Sequence, residues 1–347
     1  MIRPDHSTAA VGVAVLSIVV AACGGSASPS ASTPATPTER PAASLVATAH
    51  ATVVPPAVAS STASSAAALK LLWETAGDAK PLGHNADTYW PAIDPLTGNV
   101  WVAVSFEGIY WIFSPDGKYL GSFGAPGSGP GQFNFVRTAC PDCGAGAIAF
   151  APDGSFYVAD DGNNRIQKFD AAHKFVKAWG SFGSADGQFA DANSIATDGK
   201  QVYVYDDVRT DTQVFDTDGK LLRKIANESG WMTVDRAGNL WAADAQGISE
   251  FDATGKLRKA YPLPDSFRIS LATDAAGRLY YNLQDPNSPY AALGLVRFDP
   301  ATNKLDVFST AGETLAIAPT QDAIYEANFV SPGWPAPVLR KYALPTK

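Results

Sequence analysis

Short apolar runs separated by tight turns follow one another through most of the chain. Residues 149–170 show the pattern in its most regular form: two apolar runs flank Asp153-Gly154, and a third run ends at Phe169-Asp170. An Asp-Gly pair between alternating apolar runs is typical of a β-hairpin. Because a fourth apolar run follows at 175–179, the segment predicts four short antiparallel strands.

The four-strand unit repeats along the chain. Its third strand closes with Phe-Asp at four places, at Phe169-Asp170, Phe215-Asp216, Phe251-Asp252 and Phe298-Asp299. Its second strand is rich in β-branched and aromatic residues, which strands favour. A four-stranded unit that recurs about every 40–45 residues is the mark of a β-propeller blade. No convincing helix pattern interrupts the series after residue 80.

Six units are present, and the last of them is incomplete. The inner strands are predicted to begin near Tyr89, Ala145, Asn193, Trp231, Arg268 and Thr314. The sixth unit ends with a third strand, Leu339–Ala343, whereas Leu69–Trp73 precedes the first unit and resembles a fourth strand. We therefore predict an all-β, six-bladed, monomeric propeller over 68–347, in which the N-terminal strand completes the last blade and leaves no open edge.

The second unit resembles the NHL repeat. The residues that carry the resemblance are Gly129-Pro130-Gly131-Gln132-Phe133, then Tyr157-Val158-Ala159-Asp160 with Asn163, Arg165 and Phe169. A weaker copy, 183–189, precedes the third unit. The resemblance is strong in the second unit, fair in the third and fourth, and degenerate in the others. It implies the six-bladed propeller of NHL-repeat proteins.

The N-terminus carries a targeting pattern. An apolar run from Ala9 to Ala22 follows Arg3 and ends at Cys23. The run is short for a spanning helix, which needs about 20 apolar residues, but it has the length of a signal-peptide core. The string Val20-Ala21-Ala22-Cys23 resembles the lipobox of bacterial lipoproteins. That resemblance implies that 1–22 is a signal peptide, that Cys23 carries a lipid, and that the chain is anchored in the cell membrane on its extracytoplasmic face.

An ordinary secretory signal with an incidental cysteine is the alternative reading of the N-terminus. Residues 23–67 that follow are almost entirely Ser, Ala, Thr, Pro, Gly and Val, with almost no charge. Such a stretch cannot bury enough apolar surface to offset the entropy of ordering it. The composition therefore predicts a disordered tether between the anchor and the propeller.

Charge and cysteine content narrow the range of partners. The formal net charge of -8 argues against nucleic acid, since phosphate binding needs clustered Lys and Arg. Beyond Cys23 only Cys140 and Cys143 remain, and two cysteines in an oxidising compartment tend to pair. A local disulfide is the first hypothesis. Free thiols, and a redox or metal role, are the alternatives.

Loop lengths place the candidate site on one face of the propeller. The loops between second and third strands and the loops between blades emerge on the same face, and the long insertions fall in these loops. Long loops in compact domains are more often functional than tight turns are. This face also holds Cys140 and Cys143.

The starts of the inner strands give candidate ligand-binding residues. Those predicted to ring the channel mouth are Trp90, Asn193, Trp231, Arg268 and Glu313, and the loop aromatics Tyr290 and Trp334 would form an outer rim. Aromatic side chains with a few polar groups suit carbohydrate, peptide or small-molecule binding. In the alternative reading, Trp90 and Trp231 only pack between blades, and Arg268 pairs with Glu313.

Three carboxylates occupy one repeat position, at Asp160, Asp206 and Asp244. Calcium binds six to eight oxygens, but each of these residues lies in a separate blade. A local role fits better: each carboxylate accepts N–H groups of its own turn, and Arg165 or Arg209 pairs with it.

Three functions compete at this point. The first is a membrane-anchored platform that needs no cofactor and binds an envelope protein, peptide or glycan. The second is an enzyme that resembles the calcium-dependent lactonases among six-bladed propellers, with Glu313, Asn193 and Asp191 at the metal. The third is an architectural envelope component. A resemblance to peptidyl-hydroxyglycine lyases would need channel histidines, whereas only His84 of the four histidines lies where it could contribute.

Overall fold

The computed structural model describes residues 67–75, 88–136, 146–226, 230–243, 247–262, 270–284, 292–309, 316–320, 322–327 and 339–344. Contacts divide the chain into two units, 1–54 and 55–347, and every described residue belongs to the second. Within the described ranges the regular structure is β, apart from two three-residue 3₁₀ turns, Ser105–Glu107 and Asp161–Asn163.

The strands follow the predicted four-strand period. Two strands lead the series, β1 (Ala67–Ala68) and β2 (Lys70–Glu74). Blade one consists of β3 (Thr88–Ile93), β4 (Val100–Val104), β5 (Ile109–Phe113) and β6 (Tyr119–Phe123). A short parallel ribbon follows, formed by β7 (Ala125–Pro126) and β8 (Gln132–Phe133). Blade two consists of β9 (Ile148–Phe150), β10 (Phe156–Asp160), β11 (Arg165–Phe169) and β12 (Phe175–Trp179).

The remaining blades continue in the same order. Blade three consists of β13 (Ala192–Thr197), β14 (Gln201–Asp206), β15 (Asp211–Asp216) and β16 (Leu221–Ala226). Blade four consists of β17 (Trp231–Val234), β18 (Leu240–Ala243), β19 (Gly247–Phe251) and β20 (Leu257–Pro262). Blade five consists of β21 (Leu271–Thr273), β22 (Leu279–Gln284), β23 (Ala292–Asp299) and β24 (Lys304–Ser309). Blade six holds β25 (Ala316–Pro319), β26 (Ala323–Ala327) and β27 (Leu339–Ala343).

The blades form a closed ring. Within each blade the strands pair antiparallel in sequence order, and the first strand of each blade contacts the first strand of the next, including β25 of blade six against β3 of blade one. Six inner strands therefore surround one axis. The predicted all-β, six-bladed propeller is confirmed.

The N-terminal strand closes the ring as predicted. β2 pairs antiparallel with β27, with Lys70 opposite Ala343 and Glu74 opposite Arg340. Beyond the strand, the Thr75 N–H donates to the Leu339 carbonyl at 3.0 Å. Blade six is thus completed from the opposite end of the chain, and no blade in the described part ends on three strands.

Two contacts of the N-terminal segment go beyond the prediction. β1 pairs in parallel with β24, so the segment also adds a fifth strand to blade five. On the other side, the Trp73 indole N–H and the Lys341 ammonium both donate to the Pro115 carbonyl, each at 3.2 Å. Pro115 belongs to the turn between β5 and β6 of blade one. The N-terminal segment therefore contacts three blades: five through β1, six through β2, and one through Trp73.

Aromatic side chains fill the space between blades one and two. Trp101 is fully buried, and rings of Phe123, Phe150 and Phe156 lie 5.2 to 5.4 Å from its centroid. His173 lies edge-on to Trp101 at 5.0 Å. His173 lies in the turn between β11 and β12, and its imidazole is part of this aromatic cluster.

The repeated Phe-Asp pair has a structural cause. Phe169 is buried, and the carboxylate of Asp170 accepts the N–H groups of Ala172 and Lys174, each at 2.9 Å. Asp216 and Asp252 accept N–H groups at the same offsets. Each pair therefore anchors the third strand in the core and closes the turn to the fourth.

Candidate functional site

A cavity of about 290 Å³ lies on the propeller axis. All six inner strands line it, mainly with small apolar residues, and the hydroxyl groups come from Ser194, Thr197, Thr233, Ser270 and Thr273. Since each inner strand is the terminal strand of its sheet, its free edge faces the cavity. The lining offers hydroxyl and backbone hydrogen-bonding groups around an apolar wall.

The sequence-predicted site residues fall into three groups. Trp231 lines the axial cavity and also packs against the core between blades four and five. Trp90 lies on β3, where the structure describes its backbone but not its side chain. Arg268, Glu313, Tyr290 and Trp334 lie outside the described residues. Ligand binding by these residues stays a prediction.

Asn193 lies at an irregular position of β13. The pairing of β13 with β14 shifts register between Ala192 and Ser194, which leaves Asn193 in a bulge. Its side-chain oxygen is buried and has no hydrogen-bond partner within the described part of the chain. Asp191, two residues earlier, is buried as well. A buried amide oxygen and a buried carboxylate thus lie two residues apart in sequence, and their place at the channel mouth stays a prediction.

The NHL-type residues of blade two form one hydrogen-bonded network. Asp160 is fully buried and accepts the Asn134 N–H at 2.8 Å, the Arg165 Nε–H at 2.7 Å and the Gln167 amide N–H at 2.9 Å. The predicted pairing of Asp160 with Arg165 is confirmed. The predicted capping of its own turn is wrong: the backbone N–H comes from Asn134 of the preceding loop, and the turn contributes the Asn163 side-chain amide, at 2.9 Å. Beside the carboxylate, burial raises the pKa of Tyr110 well above its usual value, and the charge of Asp160 adds to the effect.

The same network holds the loop between blades one and two. Arg165 Nη2 donates to the carbonyls of Gly129 and Gln132, at 2.9 and 3.2 Å. The Gln167 amide donates to Gln132 at 2.7 Å and accepts the Gly131 N–H at 3.0 Å. Arg165 and Gln167 thus bind the backbone of the Gly-Pro-Gly-Gln-Phe segment, which explains why the motif contains both the segment and the arginine.

Blade three repeats the arrangement with one change. Asp206 accepts the N–H groups of Ala190, Val208 and Arg209 at 2.6 to 3.1 Å, as predicted. The predicted pairing of Arg209 with Asp206 is wrong, because the Arg209 guanidinium binds Asp211 at 3.0 Å. Four backbone N–H groups, the fourth that of Asp191, already satisfy the Asp206 carboxylate, whereas Asp211 lies beside the arginine at the start of β15. Asp244, the third carboxylate of the series, lies outside the described residues.

Apolar side chains are exposed on the face that carries these loops. Phe106 is 45% exposed between β4 and β5, Val208 is 57% exposed between β14 and β15, and Phe182 is 66% exposed in the loop before blade three. Asn163 and Arg209 bind the blade-to-blade loops at Gly127 and Ala185. The two kinds of loop therefore share one face, which we call the loop face.

A second cavity, of about 370 Å³, opens on the loop face. It lies between the Ser105–Glu107 turn of blade one and the loop that leads to blade two. Its lining includes Phe106, Pro126, Ser128, Phe133, Asn134 and Asn163. We call it the lateral groove. None of these residues is among the site residues predicted from the sequence. The sequence feature that could have indicated the groove is Phe106, an aromatic residue at the turn position that Gly162 holds in blade two.

Metal-binding and anchoring predictions are not decided by this part of the chain. Among the described residues, no three His, Cys, Asp or Glu side chains come together as a metal-ligand group. Cys23, Cys140 and Cys143 lie outside those residues, so lipidation and the disulfide stay predictions. No helix in the described ranges is long and apolar enough to cross a membrane.

The fold is a six-bladed β-propeller, and the network of Asp160 lies in the part of it that matches a known repeat. The sequence profile of the NHL repeat matches residues 143–169, which include Asp160 and Arg165. The expected resemblance to NHL-repeat propellers is thereby confirmed. Comparison with curated proteins gives no significant match.

Three solved structures of similar fold carry the names of enzymes. A catalytically inactive virginiamycin B lyase from Staphylococcus aureus, determined with quinupristin, has a TM-score of 0.51 at 14% identity, over 76% of this chain and 97% of that one. A gluconolactonase from Xanthomonas campestris has a TM-score of 0.53 at 13% identity, over 76% and 87%. A streptogramin B lyase has a TM-score of 0.50 at 16% identity, over 79% and 87%. At these identities the likeness establishes the fold alone.

Proposed function

We propose that this protein is a recognition propeller that a lipid on Cys23 anchors to the extracytoplasmic face of the cell membrane. In this proposal the loop face binds a protein, peptide or glycan of the cell envelope. The tether of residues 23–67 would carry the propeller away from the lipid surface, where its partner is met.

One observation supports the binding role above the others. Phe106, Phe182 and Val208 expose large apolar surface on the loop face, while the loops beneath them are held by buried ion pairs and hydrogen bonds. Exposed apolar groups on rigid loops lose little conformational entropy on binding. Aromatic side chains in such positions carry much of the affinity of known interfaces.

The test replaces the exposed side chains together. A Phe106→Ser, Phe182→Ser, Val208→Ser variant and the wild-type chain are compared in pull-downs from cell-envelope fragments. Loss of the wild-type partners in the triple variant, with an unchanged melting temperature, is the expected result. Leu96→Ser is the matched control, because Leu96 is 60% exposed on the turn between β3 and β4, at the end of the blade opposite the loop face. Equal capture by the triple variant would remove the loop face as the binding surface.

A calcium-dependent hydrolase at the channel mouth is the second candidate. The observation that favours it is the buried side-chain oxygen of Asn193 without a hydrogen-bond partner in the described part of the chain, because calcium takes amide and carboxylate oxygens. Asn193 fits such a site, Asp191 lies near it in sequence, and Glu313 lies outside the described residues. The residues of this chain would supply the oxygen ligands, and the ion would polarise a substrate carbonyl.

Thermal stability in calcium separates the two candidates. A bound ion raises the melting temperature by mass action, and Asn193→Ala should remove the rise if the residue is a ligand. A melting temperature that does not change up to millimolar calcium would eliminate the hydrolase.

A further inference from the structure

The lateral groove is a preformed cavity. The Asn163 amide donates to the Gly127 carbonyl at 2.9 Å, and the Gly127 N–H donates to Phe133 at 3.1 Å. On the opposite wall Gly108 has φ +62°, and a Cβ there would lie 2.5 Å from the Phe133 carbonyl oxygen. Both walls are therefore fixed to the same buried floor, and a ligand would meet a surface that is already in place.

Phe106 is a side chain that its turn does not need. The Ser105–Glu107 and Asp161–Asn163 turns have the same form, and each ends at a left-handed residue, Gly108 or Asn164. The position of Phe106 in the first turn is held by Gly162 in the second. Since glycine supports the same turn, the aromatic ring has no structural role there that the repeat requires. It lines the lateral groove and is 45% exposed.

The lining determines the chemical class of ligand. Phe106 and Pro126 offer apolar surface, while Ser128, Asn134 and Asn163 offer hydroxyl and amide groups, and no lining residue is charged. An ionic ligand would lose hydration without a countercharge in the groove. Sugar rings present an apolar C–H face that stacks on an aromatic ring, and hydroxyls that donate and accept as amides and serine do. The volume of about 370 Å³ lies within the range of small-ligand sites, about 300–1,000 Å³.

We propose that the lateral groove binds a neutral sugar unit, with Phe106 as the stacking platform. The proposal rests on the recognition role proposed above and names the ligand class for one part of the loop face. Asn134 and Ser128 are exposed and would contact the sugar hydroxyls.

Calorimetric titration of the full chain tests the proposal. The probes are N,N′-diacetylchitobiose, maltose and cellobiose, three neutral disaccharides. We expect at least one to bind the wild-type chain and Phe106→Gly to weaken that binding at least about tenfold, the loss typical of a truncated central aromatic contact. Phe106→Tyr should retain the affinity, because it keeps the ring. Leu96→Ala, at an exposed turn outside the groove and away from the loop face, should leave the affinity unchanged.

Two results would overturn the proposal. One is the absence of binding by all three disaccharides. The other is an affinity in Phe106→Gly within about twofold of wild type. Melting temperatures of all variants show whether a loss of binding reflects unfolding, and a Pro-rich peptide that binds in place of the sugars would assign the groove to another ligand class. If envelope partners are still captured through Phe182 and Val208 while no sugar binds, the groove assignment fails and the recognition role stands.

Discussion

The Arg165 guanidinium donates to the Asp160 carboxylate at 2.7 Å, with the carboxylate fully buried and the arginine 19% exposed. The same two side chains hold the backbone of the loop between blades one and two. One ion pair thus joins the strand pair of blade two to the surface where ligands are proposed to bind.

Removal of the Asp160 charge should destabilise the propeller. Asp160→Asn keeps the shape but leaves the buried Arg165 without its anion, and such losses cost about 3 kcal/mol. Urea unfolding measures the free energy. Asp153→Asn is the control, since Asp153 caps an exposed turn through Ser155, and its loss should cost about 1 kcal/mol or less. Equal effects in the two variants would contradict the network described for Asp160.

Loss of the Trp73 ring should weaken the closure of the propeller. The ring packs over Gly117 and against Tyr325, and its N–H reaches Pro115 of blade one. Trp73→Ala should therefore lower the free energy of unfolding by about 2 kcal/mol or more. The neighbouring Leu72→Ala, whose side chain is 46% exposed, should change it by about 0.5 kcal/mol or less. A Trp73→Ala chain as stable as Leu72→Ala would show that the closing strand does not depend on this contact.

High pH should unfold the propeller. Burial raises the pKa of Tyr157, Tyr203 and Tyr280 to about 12, against about 10 in an unfolded chain. Because the folded state holds these protons more tightly, their contribution to stability is complete below pH ~10 and is lost as pH rises toward ~12. The free energy of unfolding should fall across this window. Tyrosinate absorbance should show tyrosines that ionise above pH ~10, and Tyr203→Phe should reduce the absorbance change from them. Stability that stays constant through the window would contradict the shifts.

Lipidation of Cys23 predicts membrane retention. Cys23→Ser should move the protein from the membrane fraction to the soluble fraction, because the thiol that would carry the lipid is gone. Cys140→Ser is the matched control and should leave the protein in the membrane fraction. Membrane retention of Cys23→Ser would indicate an uncleaved signal segment as the anchor instead.

Much of the fold could be predicted because residues close together in sequence determine the strand ends and turns of each repeat. Phe169-Asp170 and its counterparts mark the end of the third strand in blades two to five; at Phe169-Asp170 the ring is buried and the carboxylate caps the turn. The closing strand could be predicted from a missing strand at the other end of the chain. β1 could not, because Ala67 and Ala68 have neither the alternation nor the side-chain size that indicates a strand.

The site was less predictable because it depends on which loops meet. Trp231 was placed at the channel from its position at a strand start, and it lines the axial cavity. Arg209 was assigned to the wrong carboxylate, because the sequence shows that Asp206 and Asp211 are both near but not which one backbone N–H groups already satisfy. The lateral groove joins residues of two blades, and no local pattern shows that Phe106 faces Pro126 across it.

The parallel pairing of Ala67 with Phe308 has a mechanical consequence. On the side of Cys23 the described chain begins at Ala67, on the outer edge of blade five. A pull along that chain acts first on β1 and then on β2, whose Glu74 binds Arg340 at 3.1 Å. The hydrogen bonds between β2 and β27, which complete the ring, would therefore resist such a force. A force that broke them would open the propeller at blade six and leave the loop face intact.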